Sequence, residues 1–541
     1  MLSRIPIRFS AGLPVLLAVA VAILFYSTLL FSGSLSGHDW SSHHFHYFDW
    51  VRESLREHHT FPLYMVNAWI TPNFLANAEA PQLGPLVWLL LLISTDAYLK
   101  LLIVVFSAAG VAGMLLLLRD LEVATSLAVI ASLVFAFNGF FISHFSVGHP
   151  WAMGALLLPA VLLLFRRAAL GSRRAFFGGA LVNALTIFGG QHQPFIWQNL
   201  FLAFFAAAWS LQVRSWRPLR AFALLALMTA GLGALKLFPL LAEFADYAPV
   251  QRTAGLSPGA LFYTLLARGQ HAATVYPGLD FAHGSGWWEW AFYAGPLAVF
   301  FMLASLWAPP SGRPIALVGV VFLGLAVDWS SLLGSPGPWR LLEDLPVWRT
   351  QRSPSRFVVL AVFAFAVGGA LGWQELWRRW IGGLPRALPA IALGLALLVF
   401  ADAYFESGRW QLAAAGAPLA AQDPRPRPLR FGDPLEATAE LVGFQPNRVV
   451  YRVRATRPAR LEFPLRMREG TAEWRVEGLT PGSRNGRLVL DLPLGERDLI
   501  MTYQPKWSVV GAATSATSLL ACAAAVAWFW RYPGGSTSSQ S

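Results

Sequence analysis

Asp39 stands in Gly37-His38-Asp39-Trp40, directly after the first long apolar run of the chain. A carboxylate within hydrogen-bond reach of a hydroxyl can take its proton and make it a nucleophile. His43 follows four residues later, so on a helix the two side chains share one face. Such a pair can share a divalent metal ion, and imidazole suits zinc and other transition metals better than magnesium. His44 and His46 crowd the same segment. The plainer readings are a helix cap for Asp39 and hydrogen-bonded, solvated rings for the histidines.

A second set of residues could hold an anion. Arg349, Arg352 and Arg356 are spaced three and four apart and would share a helix face, although Pro354 lies among them. Cations aimed at a departing phosphate stabilise its developing charge. Lys236, Arg252 and Arg268 are further candidates of the same kind. Glu289 and Glu243 could act as a second acid or orient Asp39. His38, His149, His192, Gln193 and Trp288 could line a polar cavity, and tryptophans such as Trp40, Trp50 and Trp287 could stack on sugar faces or anchor the chain at a membrane surface.

The elements that must position these groups are membrane helices. The chain is 56% hydrophobic and 13% charged, with a mean hydropathy of +0.51. Soluble domains carry about 25% charged residues. The net charge of +12 does not mark a nucleic-acid binder, because the basic residues punctuate apolar runs as membrane topology requires. Twelve spans are expected, near 12–32, 97–118, 123–143, 151–166, 175–190, 195–212, 220–242, 291–307, 314–328, 357–377, 387–404 and 507–530. Arg4, Arg8, Arg119, Arg166, Arg167, Arg214, Arg313, Arg378 and Arg531 then fall on one side, the cytoplasmic one. The eleven histidines fall on the other. The run Pro85–Ser94 is too short to cross. It is expected as a re-entrant or surface helix.

Three regions follow. Residues 1–404 form the membrane module, with a first outer loop at 34–96 and a long loop at 243–290. Residues 405–505 start with the proline-rich linker around Asp423–Leu429 and continue as short alternating segments, which predict a small antiparallel β domain on the outer face. Residues 506–541 hold the last span and a cytoplasmic tail. Cys522 is the sole cysteine, so no intrachain disulfide holds the outer domain.

The order of several short motifs resembles the GT-C superfamily of polytopic glycosyltransferases, and within it the bacterial YfhO-like membrane proteins. The carrying segments are Gly37-His38-Asp39-Trp40, Phe137-Asn138-Gly139-Phe140, Gly148-His149-Pro150, Gly189-Gly190-Gln191-His192-Gln193, Leu237-Phe238-Pro239, Gly286-Trp287-Trp288-Glu289 and Arg352-Ser353-Pro354-Ser355-Arg356-Phe357. Glu473-Trp474-Arg475-Val476-Glu477-Gly478 adds to them in the β domain. The resemblance implies inverting transfer of a sugar from a polyprenyl-phosphate donor to a glycan, lipid or protein acceptor. It places the reaction on the outer face of the bacterial inner membrane, without a nucleotide, with Asp39 as the catalytic base. Many members carry two acids in the first motif; here the partner position is His38, which leaves metal dependence open. The competing classes are a lipid-linked saccharide flippase or transporter and a non-catalytic member of the same family. A transporter of the common kind has repeated halves, and no internal repeat is visible in this chain.

Overall fold

A computed structural model describes residues 12–37, 39–65, 73–244, 255–270, 286–334, 337–342, 345, 351, 353–380, 388–416, 437–467, 473–505 and 507–531. Most of these residues are helical. Among the described residues, six helices are long and apolar enough to cross a membrane: Thr95–Asp120, Thr125–Val147, Pro150–Ala169, His192–Val213, Pro354–Trp380 and Ala390–Gly408. The protein is a multi-pass membrane protein.

The last expected span is the 24-residue helix Ser508–Arg531, while others are short or bent. Arg217–Leu232 and Ala234–Phe244 meet at 89°, and Pro296–Trp307 and Pro310–Ala326 at 117°. Counting each pair as one span gives eight among the described residues, against the twelve expected from hydropathy. Pro309 and Pro310 cannot continue a helix, and Gly233 sits at the first break. Hydropathy registers the apolar content on both sides of such a break but not the change of direction. The helix Arg173–Phe188 has 16 residues, fewer than the about 20 needed to cross 30 Å of hydrocarbon. Pro85–Leu91 forms a short 3-10 helix, as its length requires.

Packing within the bundle uses aromatic edges and small residues. Phe25 meets Phe137 at 4.4 Å between ring centroids, and Phe135 meets Phe363 at 5.1 Å. Close approach of Pro354–Trp380 to the segment Ala304–Trp307 depends on Gly372, where a Cβ would fall 1.7 Å from the Ala304 carbonyl oxygen. Small residues at helix contacts are the usual way apolar helices associate without a hydrophobic drive. The first helix breaks at Tyr26, between Gly12–Phe25 and Ser27–Phe31. Gln411 answers this break: its amide donates to the Phe25 carbonyl at 2.9 Å and accepts from the Leu29 N–H at 3.1 Å.

Residues 437–467 and 473–503 form two antiparallel sheets. After the two-residue strands β1 (Ser34–Leu35) and β2 (Ala415–Gly416), which pair with each other, come β3 (Ala437–Gln445), β4 (Arg448–Ala455), β5 (Ala459–Arg466), β6 (Trp474–Val476), β7 (Gly482–Arg484), β8 (Arg487–Leu492) and β9 (Gly495–Tyr503). The strand orders are β3-β4-β9-β6 and β5-β8-β7. Alternation sends Val449, Tyr451 and Val453 inward from β4, and Leu461, Phe463 and Leu465 inward from β5.

This sandwich is fastened to the first loop. Tyr64 is buried in the sandwich core between Trp474 and Tyr503, at 4.9 and 4.8 Å. Its hydroxyl accepts from the Arg466 N–H at 3.1 Å. The Asn447 side chain accepts from the Leu63 N–H at 2.6 Å and donates to the Phe61 carbonyl at 2.8 Å. Trp50 stacks on Phe444 and donates to the Tyr64 carbonyl at 3.0 Å. The helix Phe45–Arg56, whose approach carries Asp39, is thus clamped between bundle and sandwich.

Candidate active site

Asp39 opens a single π-helical turn, Trp40–His44, that runs directly into the helix Phe45–Arg56. Such turns widen the helix by one residue and recur at functional sites. Asp39 precedes the turn, yet its side chain caps none of the turn's N–H groups. Its Oδ2 instead accepts from His149 Nε2 at 2.8 Å. Two local features produce that contact. The Trp40 indole donates to the Phe145 carbonyl at 2.9 Å, fixing the turn against the end of Thr125–Val147. Gly148 then turns the chain with φ +93°, and a Cβ there would lie 2.2 Å from the Trp40 nitrogen. Only glycine satisfies both demands.

Burial pushes the Asp39 carboxyl up, but the hydrogen bond from His149 and the nearby His149, His43 and His44 rings outweigh it and hold the acid well below its usual range. Burial pulls the His149 imidazole down against the raising effect of Asp39. In the pair, the Asp39 carboxylate accepts from the His149 Nε2–H.

His43 and His44 lie on the same turn and are both buried. Ligand atoms of Asp39, His43 and His44 all fall within 4.8 Å of one another. Glu79 faces them from the other side of the first loop. Its Oε2 is 3.8 Å from His43 Nε2 and 3.6 Å from His44 Nε2. Gly190 brings this loop in: at φ +75° it packs so closely that a Cβ would fall 2.4 Å from the Glu79 carbonyl oxygen. Burial, and then the charge of Asp39, pushes the Glu79 carboxyl up to about 8. Burial holds His44 well below its usual value.

Arg356 and Glu289 form a second polar group. The 3-10 turn Pro354–Phe357 opens the helix Val358–Trp380 and buries Arg356. Its Nε donates to Glu289 Oε2 at 2.7 Å, one terminal nitrogen to Glu289 Oε1 and the other to Gln193 Oε1. The guanidinium lies 4.6 Å above the Trp151 ring. Trp151 also meets the His149 ring at 5.2 Å, and Trp288 meets it edge-on at 5.7 Å. The Asp39 and Arg356 groups thus adjoin across one aromatic layer. An apolar cavity of about 240 Å3 is lined by Phe48, Pro81, Leu102, Phe106, Leu185 and Gln191.

The structure thus brings together Asp39, His43, His149, Glu289, Arg356, Gln193 and Trp288. His192 is buried in the adjoining helix start. Lys236 is turned elsewhere: its ammonium donates to the Ala80 carbonyl at 2.7 Å and the Phe74 carbonyl at 3.4 Å, holding the first loop. Glu243 lies in the last turn of the helix Ala234–Phe244. Arg268 pairs with Asp402 and Tyr293, a separate group. His38, Arg252, Arg349 and Arg352 lie outside the described residues.

Glu79 and Trp151 belong to the site but carried no signal in the motif reading. Glu79 sits in Asn77-Ala78-Glu79-Ala80-Pro81, an acid among small residues in the loop that Asp39 opens. An acid in so apolar a stretch of the first loop was the available clue.

No family model and no curated protein matches the chain. Among solved structures, the chain is similar to the arabinofuranosyltransferase AftD from Mycobacteria, seen by single-particle cryo-EM, at 14% identity and a TM-score of 0.43. The match covers 74% of this chain and 27% of that one, so the chain spans about a quarter of that protein's length.

Proposed function

We propose that the chain is a GT-C-type glycosyltransferase. It moves a sugar from a polyprenyl-phosphate-linked donor to a cell-envelope acceptor on the extracytoplasmic face of the bacterial inner membrane, with inversion. The observation that carries this reading is the joining of a carboxylate held by His149 to a buried arginine across Trp151.

The chemistry follows from these parts. Asp39, kept ionised, takes the proton of the acceptor hydroxyl as its oxygen attacks the anomeric carbon. The bond from that carbon to the phosphate oxygen breaks on the opposite face, and the lipid phosphate leaves with the electron pair. His149 fixes the Asp39 carboxylate by its Nε2–H. A guanidinium has five N–H donors. Three of those on Arg356 meet Glu289 and Gln193, and the remaining two are without a recorded partner among the described residues. They suit the departing phosphate. The cavity lined by Leu102, Phe106 and Leu185 suits a prenyl chain. The ordered motifs from Gly37-His38-Asp39-Trp40 to Arg356-Phe357 support the same reading.

The test is the lipid-linked sugar profile of a deletion strain, restored with wild-type or Asp39→Asn protein. One polyprenyl-phosphate sugar should accumulate in the deletion strain, clear with wild type and persist with the variant. An unchanged profile in the deletion strain contradicts the reading.

A further inference from the structure

We propose that His43, His44 and Glu79 bind one zinc ion, with Asp39 at its open side. The site does not depend on the transfer reading. It starts from His44, which is 1% exposed and whose two ring nitrogens have no hydrogen-bond partner among the described residues. Leaving a buried polar group unsatisfied is costly. A ligand to Nε2 removes part of that cost.

Two edges of the donor set lie close to those of a zinc tetrahedron. Bonds of 2.0–2.1 Å to a tetrahedral zinc place neighbouring donor atoms about 3.4 Å apart. Glu79 Oε2 lies 3.6 Å from His44 Nε2 and 3.8 Å from His43 Nε2. A shift of a few tenths of an ångström brings both Glu79 edges to that length, and ligand atoms of the two imidazoles lie within 4.8 Å of each other. The His43 Nδ1 already meets Ser42 Oγ at 2.7 Å, which aims its Nε2 at Glu79. Two imidazoles and one carboxylate favour zinc over magnesium or calcium, which take oxygen donors. The same ligand set with one open position serves catalytic zinc sites.

Asp39 and Glu79 are the more open members, with 19% and 13% of their side chains exposed, and they mark the entry. Asp39 Oδ2 is taken by His149 Nε2, and an Asp39 oxygen lies within 4.8 Å of the ligand atoms of His43 and His44, so Asp39 borders the fourth position. On the transfer reading, an acceptor hydroxyl in that position is polarised as it passes its proton to Asp39.

The experiment uses tag-free full-length protein, purified in detergent and dialysed against metal-free buffer. Zinc content is measured by mass spectrometry, and cobalt is added to the chelator-stripped protein. The proposal expects about one zinc per chain and the intense visible bands of four-coordinate cobalt. His44→Gln and Glu79→Gln should each lower zinc retention at least about tenfold. Asp39→Asn and the exposed-histidine control His59→Asn should keep the ion. Monodisperse wild-type protein that holds no zinc and gives no cobalt bands overturns the proposal, whatever the variants do. So does full retention in folded His44→Gln. Neither outcome touches the lipid-linked sugar profile, so the metal site and the transfer reading fail separately.

Discussion

Gly148 and Trp40 approach so closely that a Cβ on Gly148 would lie 2.2 Å from the Trp40 nitrogen, and this contact sets His149 on Asp39. Gly148→Ala meets both a positive φ and a backbone clash. It should cost at least about 1–3 kcal/mol in stability and pull His149 from Asp39. Gly171 has φ +100° with nothing within 4 Å of a Cβ, so Gly171→Ala meets the strain alone. Thermal unfolding and sugar transfer, measured on both, separate the effects. Gly148→Ala should lose transfer beyond its loss of folded protein, while Gly171→Ala should not.

Arg356 and Glu289 are both 6% exposed and bonded to each other. Removing one partner of a buried pair typically costs about 3–5 kcal/mol. Arg356→Ala should therefore unfold at lower temperature, and Arg356→Ala with Glu289→Gln should recover part of the loss. Arg356→Lys keeps the charge but not the fork, and should weaken donor binding by roughly 1.5–3 kcal/mol. Unchanged donor affinity in folded Arg356→Lys would leave Arg356 with a structural role alone.

The clamp between loop and sandwich rests on Asn447, which sits at φ +68° and bonds two backbone groups of the first loop. Asn447→Gly keeps the backbone conformation and removes both contacts. A loss of about 1–3 kcal/mol is expected, read as faster limited proteolysis between the first loop and β3. Asn447→Asp retains an acceptor for the Leu63 N–H and should fall between.

The basic residues carry a topology prediction. A reporter fused after Gly432 should read as external and one after Tyr532 as cytoplasmic. Reversed signals would put the Asp39 site on the wrong side for a lipid-linked donor.

Asp39 was legible because an acid just beyond the first apolar run is visible in one line of sequence. Gly148-His149 was also visible as a motif, but its bond to Asp39 was not. That bond spans 110 residues and depends on a glycine whose need appears only against the Trp40 backbone. Glu79 was missed for the same reason: Gly190, from another helix connection, presses its loop toward the histidines. The strands β4 and β5 alternate cleanly and are legible as pattern. β3, an edge strand with half-buried positions and a register shift between Leu441 and Gly443, is not. The bends at Gly233 and between Trp307 and Pro310 escaped hydropathy because it averages along the chain and is blind to direction.

Asp39→Asn tests the central claim most directly. The change is nearly isosteric and keeps an acceptor oxygen toward His149 Nε2. The measurement is turnover of a polyprenyl-phosphate sugar donor by purified protein, with donor binding followed in parallel. Asp39 as general base predicts a fall of about 10²- to 10⁴-fold in turnover, with insertion and donor binding retained. Turnover within a few fold of wild type would contradict it, and Glu289, then Glu243, would be the next acids to test.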